Sequence, residues 1–341
     1  MPMDDESTAR AGREGPATDR RGFLGAVWGG MVAAGAVGRA GETPTRAEAP
    51  AAAPDRRMIV RTERPLNLES TSPSLDSFYT PNAEFFVRSH HGAPAIGLRP
   101  WTVEVGGLVE RPLTLGLDDL AAFDKAEVPA VLQCAGNGRG LFRPRMPGLS
   151  WERGAVGHAA WGGVRLATLL EKAGVKPEAA HVHFVCGDVP PTPKAPPFIR
   201  SIPLARAQAE DTLLALAMNG EPLPVLHGGP ARVVVPGWGG DCWSKWVRKI
   251  VVAAEESPHF YMKTGYRIPR KPVPPGVNPP PEDMVPVEWM NVKSLITWPG
   301  PGASLAKAPQ EVRGVAWTGE GHVVKVEVST VQDPKIGRAH V

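Results

Sequence analysis

Short runs of alternating apolar and polar residues, separated by glycine- and proline-rich turns, occupy most of the chain beyond residue 58. Trp101-Thr102-Val103-Glu104-Val105 alternates with a period of two and stops at Gly106-Gly107, which predicts a half-buried strand. His181 to Val185 and Val323 to Val328 alternate in the same way. Leu117-Asp118-Asp119-Leu120 opens a short helix, and Val164 to Ala173 predicts a longer one stopped by Gly174. Asp211 to Met218 reads as helix before an Asn219-Gly220 turn, and Arg232 to Gly237 as a strand running into a turn. Val292 to Trp298 and Glu311 to Trp317 are short strand-like runs. Strands and helices mixed without a regular βαβ repeat predict an α+β fold.

Three domains follow from the breaks in this pattern. Residues 1–56 are polar at first. Asp19-Arg20-Arg21-Gly22-Phe23-Leu24-Gly25 then leads into a Gly/Ala-rich apolar run ending near Gly38. That order is similar to a twin-arginine export signal, and the run falls short of the roughly 20 apolar residues a membrane span needs. Thr43 to Pro54 reads as an Ala/Pro-rich linker. Residues 57–270 are expected to form the main domain, and the proline-rich run Pro269 to Pro286 marks its end. Residues 271–341 resemble the opening strands of an immunoglobulin-like sandwich, which needs about seven strands in roughly 100 residues. This sandwich is therefore expected to be incomplete. Ile336-Gly337-Arg338-Ala339-His340-Val341 is what one reading frame of a common sequencing adapter encodes, so the natural chain is expected to diverge near Lys335.

Composition narrows the function. Hydrophobic residues make up 42% and charged residues 21% of 341, the balance of a soluble globular chain. With 38 basic and 35 acidic residues the net charge is +3, and no basic stripe carries interleaved aromatics, which argues against nucleic acid. Cys134, Cys186 and Cys242 are widely spaced, with neither a CxxC zinc pattern nor a CxxCH haem attachment.

One stretch stands out for chemistry. Val131-Leu132-Gln133-Cys134-Ala135-Gly136-Asn137-Gly138-Arg139 ends an apolar run on a cysteine, then turns through small residues to bring back a cation. Backbone N–H groups and an arginine near a loop-tip sulfur favour thiolate, the form that ligates metals. A small buried hydrophobe at a strand end is the ordinary alternative.

Leu-Gln-Cys-Ala-Gly-Asn followed by a basic residue resembles the cofactor-ligating signature of the sulfite oxidase family of molybdenum enzymes. Further motifs follow in the family's order. Phe85-Phe86-Val87-Arg88-Ser89-His90 is similar to its Phe-x-Val-Arg-Asn-His segment, with Ser89 for the usual Asn. Trp151, Gly157 and Trp161-Gly162-Gly163-Val164 match another segment, and Gly237 to Trp246 resembles the Pro-Gly…Lys-Trp element. The resemblance implies Cys134 as the molybdenum ligand. It implies Arg88 and Arg139 as the cations that bind the substrate, with Trp151 lining the pocket and Tyr266 over the metal. Phe86, His90, Asp188, His227, Arg232, Ser244 and Lys245 fall on or near positions that hold the molybdopterin and its phosphate. Gly138 and Gly265 depart from the pattern seen in relatives. Singly, each arginine, histidine and tryptophan also has an ordinary structural reading; the collective match carries the weight.

The function implied is molybdenum-dependent oxidation of sulfite to sulfate by oxo transfer in the periplasm. Sulfite is a small dianion, which arginines bind by charge-assisted bidentate hydrogen bonds. With no haem motif or flavin domain, electrons are expected to leave to a c-type cytochrome, and a complete C-terminal domain would imply a homodimer. Two other readings stand beside this one: a related molybdopterin oxidoreductase acting on another oxyanion or a sulfoxide, and a non-catalytic exported binding domain.

Overall fold

The computed structural model describes residues 28–31, 58–96, 100–274, 276–329 and 338–340, the first and last of these by backbone alone. The twin-arginine motif and linker lie outside the described residues. Of that segment only Trp28–Met31 is described, as an antiparallel strand on the edge of Glu311–Trp317.

Two five-stranded sheets form the body. In the first, Val156–Arg165 lies antiparallel between Lys125–Gln133 and Leu213–Met218. Leu213–Met218 also pairs with Glu221–Pro222 and Arg232–Val234. The second sheet runs Leu113–Gly116, Thr102–Gly107, Val247–Ala253, His181–Cys186, Ile199–Pro203. Its pairs are antiparallel except Val247–Ala253 against Thr102–Gly107, which is parallel. Trp151, Trp161, Trp243, Phe85 and Phe184 are buried to within 1% and belong to one core cluster with residues of both sheets. Buried aromatics each remove roughly 150–250 Å² from water, so they dominate this core.

The α+β expectation holds in its coarse form: mixed sheets with few helices. The longest described helix, Leu166–Ala173, has 8 residues and ends at Gly174, whose φ of 72° lets the chain leave the helix. The helix expected over Asp211 to Met218 is instead the strand Leu213–Met218. Leu-Leu-Ala-Leu-Ala-Met is a short, nearly continuous apolar run, and periodicity does not separate a two-sided buried strand from a buried helix. Here the run pairs on both edges, and tertiary packing overrides the helical propensity of Leu, Ala and Met.

Beyond residue 284, Lys293–Trp298 and Glu311–Trp317 form an antiparallel pair. Trp317 and Met290 pack with Val131 and Val156 of the first sheet and with Leu75. The expected boundary at residue 270 falls inside a hairpin, Arg267–Pro269 with Met284–Pro286. Among the described residues this region shows one three-stranded sheet and two small ribbons, and no second packed sheet of a sandwich.

Candidate functional site

The cysteine ends a ladder. Lys125–Gln133 pairs residue by residue with Val156–Arg165, and the Cys134 N–H extends the pairing by donating to Ala155 O at 2.9 Å. The chain then turns, with Asn137 N–H on Cys134 O at 2.9 Å and Arg139 N–H on Gly136 O at 3.0 Å. The Gly136 N–H points at Cys134 Sγ, 3.4 Å away.

Because side chains alternate along a strand, Leu132 and Cys134 face one way and Val131 and Gln133 the other. Leu132 and Cys134 open onto a cavity of about 670 Å³ that is partly open to solvent. Its walls come from the ends of both sheets and from the segment after Arg232–Val234. Phe86, Arg88, His90, Asp188, His227, Arg232, Lys245 and Tyr266 all line it, so eight predicted residues converge on the predicted cysteine. Ser244 sits beside them, 1% exposed, and its Oγ has no hydrogen-bond partner.

Two predicted residues are placed differently. Trp151 is fully buried and does not line the cavity; it lies edge-on to Phe86 at 6.4 Å and supports the ring that does. Arg139 also stays off the cavity wall. Gly138, at φ 93°, turns the chain, and the Arg139 guanidinium lies between Gly136 and Gly148. A Cβ at either glycine would come within 2.9 and 2.5 Å of it, respectively. The expectation that Arg139 faces the cavity is corrected in its placement: Arg88 lines the cavity, while Arg139 packs against the cysteine turn, from where its charge still acts on Cys134.

The wall is rich in cations that lack acidic partners. Arg232 is 3% exposed and gives hydrogen bonds only to carbonyls, Nη1 to His227 O at 2.6 Å and Nη2 to Trp243 O at 3.0 Å. Its Nε is unpartnered, and its guanidinium lies 5.0 and 5.8 Å from the Trp161 and Trp243 ring centres. Burial lowers its pKa to about 9. Lys245 Nζ donates to Ser89 Oγ at 2.8 Å and Leu226 O at 2.9 Å. Burial, and then the charges of Arg232 and Arg88, hold its pKa well below the lysine range. Burial raises the Asp188 carboxyl, with His91 opposing. An unpaired buried cation is costly, so this cluster is organised for an anion.

At the other end, Tyr266 OH and His90 Nε2 share a hydrogen bond of 2.7 Å, and His90 stacks on Phe198 at 4.5 Å. Burial and then Arg88 push the His90 pKa well below its usual value, while burial pushes the Tyr266 phenol up. A neutral imidazole and a protonated phenol thus share this bond. Tyr266 and Trp246, both on the wall, are left-handed at φ 55° and 52°. Non-glycine residues rarely adopt that conformation, and such strain collects at functional sites. Burial raises the Cys134 thiol as well, opposed by the Gly136 N–H and by Arg88. Left alone the sulfur is a thiol; a bound cation is what would hold it as thiolate.

Sequence reasoning missed Cys186, Phe198, Asp241 and Trp243, which also line the cavity. Cys186 ends the strand His181–Cys186, two residues before Asp188, and that proximity was the available signal. Asp241 Oδ2 accepts from Arg200 Nη2 at 2.7 Å, both side chains being within 1% of full burial. Nothing local in the sequence announces that pair.

Comparisons with known proteins agree on this region. The oxidoreductase molybdopterin binding domain family matches residues 90–261. Mitochondrial sulfite oxidase of Drosophila melanogaster is 38% identical over 297 residues, 81% of this chain and 50% of that protein. Sulfite oxidase of Gallus gallus is 38% identical over 285 residues, 79% of this chain and 60% of that protein. An NAD(P)H nitrate reductase of Hordeum vulgare is 34% identical over 78% of this chain and 32% of its own length. The chain thus spans about half the length of the animal relatives it matches. Among solved structures, the sulfane dehydrogenase SoxCD from Paracoccus pantotrophus superposes with a TM-score of 0.69 at 27% identity, covering 87% of this chain and 76% of that one.

Proposed function

Because the chain belongs to the sulfite oxidase family of molybdopterin-dependent oxidoreductases, we propose that it oxidises sulfite to sulfate and passes the electrons to a separate one-electron acceptor such as a c-type cytochrome. The observation that carries the reading is that Cys134, at the end of its strand, lines one cavity with two cations that lack ion-pair partners, the buried Arg232 and the half-buried Lys245.

The residues fit the implied cofactor. Among the described residues no group of three or more His, Cys, Asp or Glu side chains is placed to hold a metal ion, so a metal at Cys134 must bring further ligands with it. Molybdopterin does so, and its phosphate suits Arg232, Lys245 and the orphaned Ser244 Oγ. His227 and His90 would flank the pterin, and Asp188 would meet its polar edge. When bound, the molybdenum–pterin group supplies two-electron oxo transfer.

The chain's own residues do the rest. Arg88 presents its guanidinium to the cavity, anchored by Nη1 donating to Asn67 Oδ1 at 3.3 Å and to Ser89 O, and would bind the sulfite dianion. Tyr266 holds its proton and offers a fixed hydroxyl beside the oxyanion. Oxidation of sulfite with water releases two protons and two electrons along with sulfate, so a site that stays partly open can shed protons to solvent. The periplasmic location is supported by Arg20-Arg21-Gly22-Phe23-Leu24 alone, and a dimer by the likeness of residues 271–341 to a dimerisation-type domain.

The test is sulfite-dependent reduction of ferricyanide by protein of measured molybdenum content. Cys134→Ser should lower turnover about a thousandfold or more with the circular dichroism unchanged. An active serine variant would overturn the ligand assignment. Full molybdenum loading without sulfite turnover would move the substrate to another oxyanion or a sulfoxide.

A further inference from the structure

Between Cys134 and the buried Trp151 the chain builds a surface unlike the cavity wall. This stretch carries Arg139, Arg143 and Arg145 and no carboxylate. Residues 141–148 are all exposed, and Leu141, Phe142 and Met146 leave 46%, 61% and 53% of their surface to solvent. Large apolar side chains normally reach this exposure singly; three within six residues of one loop form a patch that marks an interaction site. Arg143 Nη1 folds back onto the carbonyls of Gly140 and Phe142, at 3.0 and 2.8 Å, which fixes a cation against the backbone of the same loop. The loop is also tied to the cysteine turn. Gly140 N–H donates to Trp151 O at 2.7 Å, and the Arg139 guanidinium fills the space between Gly136 and Gly148. The patch therefore begins a few residues after the metal ligand and is held against its turn.

We propose that this loop is the docking surface for the electron acceptor, a small one-electron redox protein with an acidic face. The proposal rests on the oxidation of sulfite argued above. Sulfite and water give sulfate, two protons and two electrons, and two acceptor molecules each take one electron. Each encounter must then be brief and repeated. A small apolar centre with a rim of one charge sign suits that, because charge steers the approach while little buried area holds the complex. Arg143 and Arg145 supply the rim, and their sign selects an acidic partner. A lipid surface would call for an amphipathic helix or a cluster of about four to eight basic residues, and the loop has neither.

The test uses the holoenzyme and three acceptors: a c-type cytochrome of net negative charge, one of net positive charge, and a small neutral quinone. With sulfite as donor, R143E/R145E should slow the acidic cytochrome about tenfold or more at low ionic strength, and added salt should close the gap. The basic cytochrome should be slow with the parent enzyme and faster with the variant, and the quinone rate should not change. Phe142→Ser should slow the acidic cytochrome at every salt concentration. Equal rates with the acidic cytochrome for parent and variant, or a parent enzyme that prefers the basic one, would overturn the proposal. So would loss of binding to phosphatidylglycerol vesicles in R143E/R145E with unchanged cytochrome rates, which would assign the loop to a membrane. If sulfite reduces none of the acceptors, the substrate reading fails by itself. Calorimetric titration of the acidic cytochrome into parent and variant then decides the docking surface, an equal affinity counting against it.

Discussion

The two faces of the strand Lys125–Gln133 were built for different ends. On one side Leu132 and Cys134 meet a wall of unpaired cations, neutral histidines, an orphaned hydroxyl and two left-handed residues. On the other, Val131 joins Val156, Leu75 and Trp317 around a small apolar hollow partly open to solvent, and Gln133 closes a hydrogen bond with Trp317. The first face violates the local rules of a stable protein at several positions at once; the second obeys them. Stability is supplied by one side of a strand and given up on the other, as expected where a site is organised for a ligand the bare fold does not satisfy.

The sharpest way to break this comparison is to remove the cost from the functional face. Arg232→Met should lower molybdopterin affinity about a hundredfold, since charge-assisted bonds to a phosphate contribute roughly 1.5–3 kcal/mol each. The apo protein should lose no more than about 1 kcal/mol, because a buried cation without an acidic partner is replaced by a side chain that suits its tryptophan neighbours. Metal analysis and urea unfolding of the same preparation read both quantities. An apo protein several kcal/mol weaker would show that Arg232 serves the fold instead.

A second test reads the same cost through pH. His227 is buried, its Nε2–H donates to Asn82 O at 2.8 Å, and burial lowers its pKa from 6.5 to about 4. Below pH 6.5 the unfolded chain takes up a proton that the native protein refuses. The stability this group contributes is therefore fully present above pH 6.5 and is lost as pH falls towards 4. Between pH 7 and 4.5 the loss amounts to about 2–3 kcal/mol. His227→Gln should flatten that part of the profile in apo protein, measured by urea midpoints at the two pH values. A variant with an unchanged slope would place the acid sensitivity in other histidines such as His90 or His158, which burial also lowers.

The functional face was the more legible of the two in the sequence. Cys134 and its turn are local: a strand end, two glycines and a following arginine within a few positions. What local reading missed is where side chains go after a turn. Arg139 follows Gly138, and its direction depends on φ at that glycine and on Gly148 nine residues further on, so proximity in sequence did not become a place on the cavity. Trp151 has the right neighbours but sits one layer behind Phe86. Leu213–Met218 does not look like a strand in the sequence because its apolar run is buried on both faces, which erases the alternation that reports one. The Arg200–Asp241 pair joins residues far apart in sequence, and only the fold brings them together.

The smallest effect tests whether the quiet face speaks to the busy one. Trp317 Nε1 donates to Gln133 Oε1 at 2.8 Å, both residues are buried, and Gln133 directly precedes Cys134. Lys293, one strand away, donates to Asn137 O at 3.3 Å in the turn that follows it. The region beyond residue 284 thus touches the chain on both sides of Cys134. Trp317→Phe keeps most of the ring and removes the bond, leaving the Gln133 amide oxygen buried without a donor. It should cost about 1 kcal/mol in thermal or urea unfolding, the usual value of such a bond. If the packed face serves stability alone, molybdenum content per folded molecule and the KM for sulfite stay at parent values. If turnover falls at full metal loading, the two faces are coupled through Gln133, and the division drawn across this strand has to be abandoned.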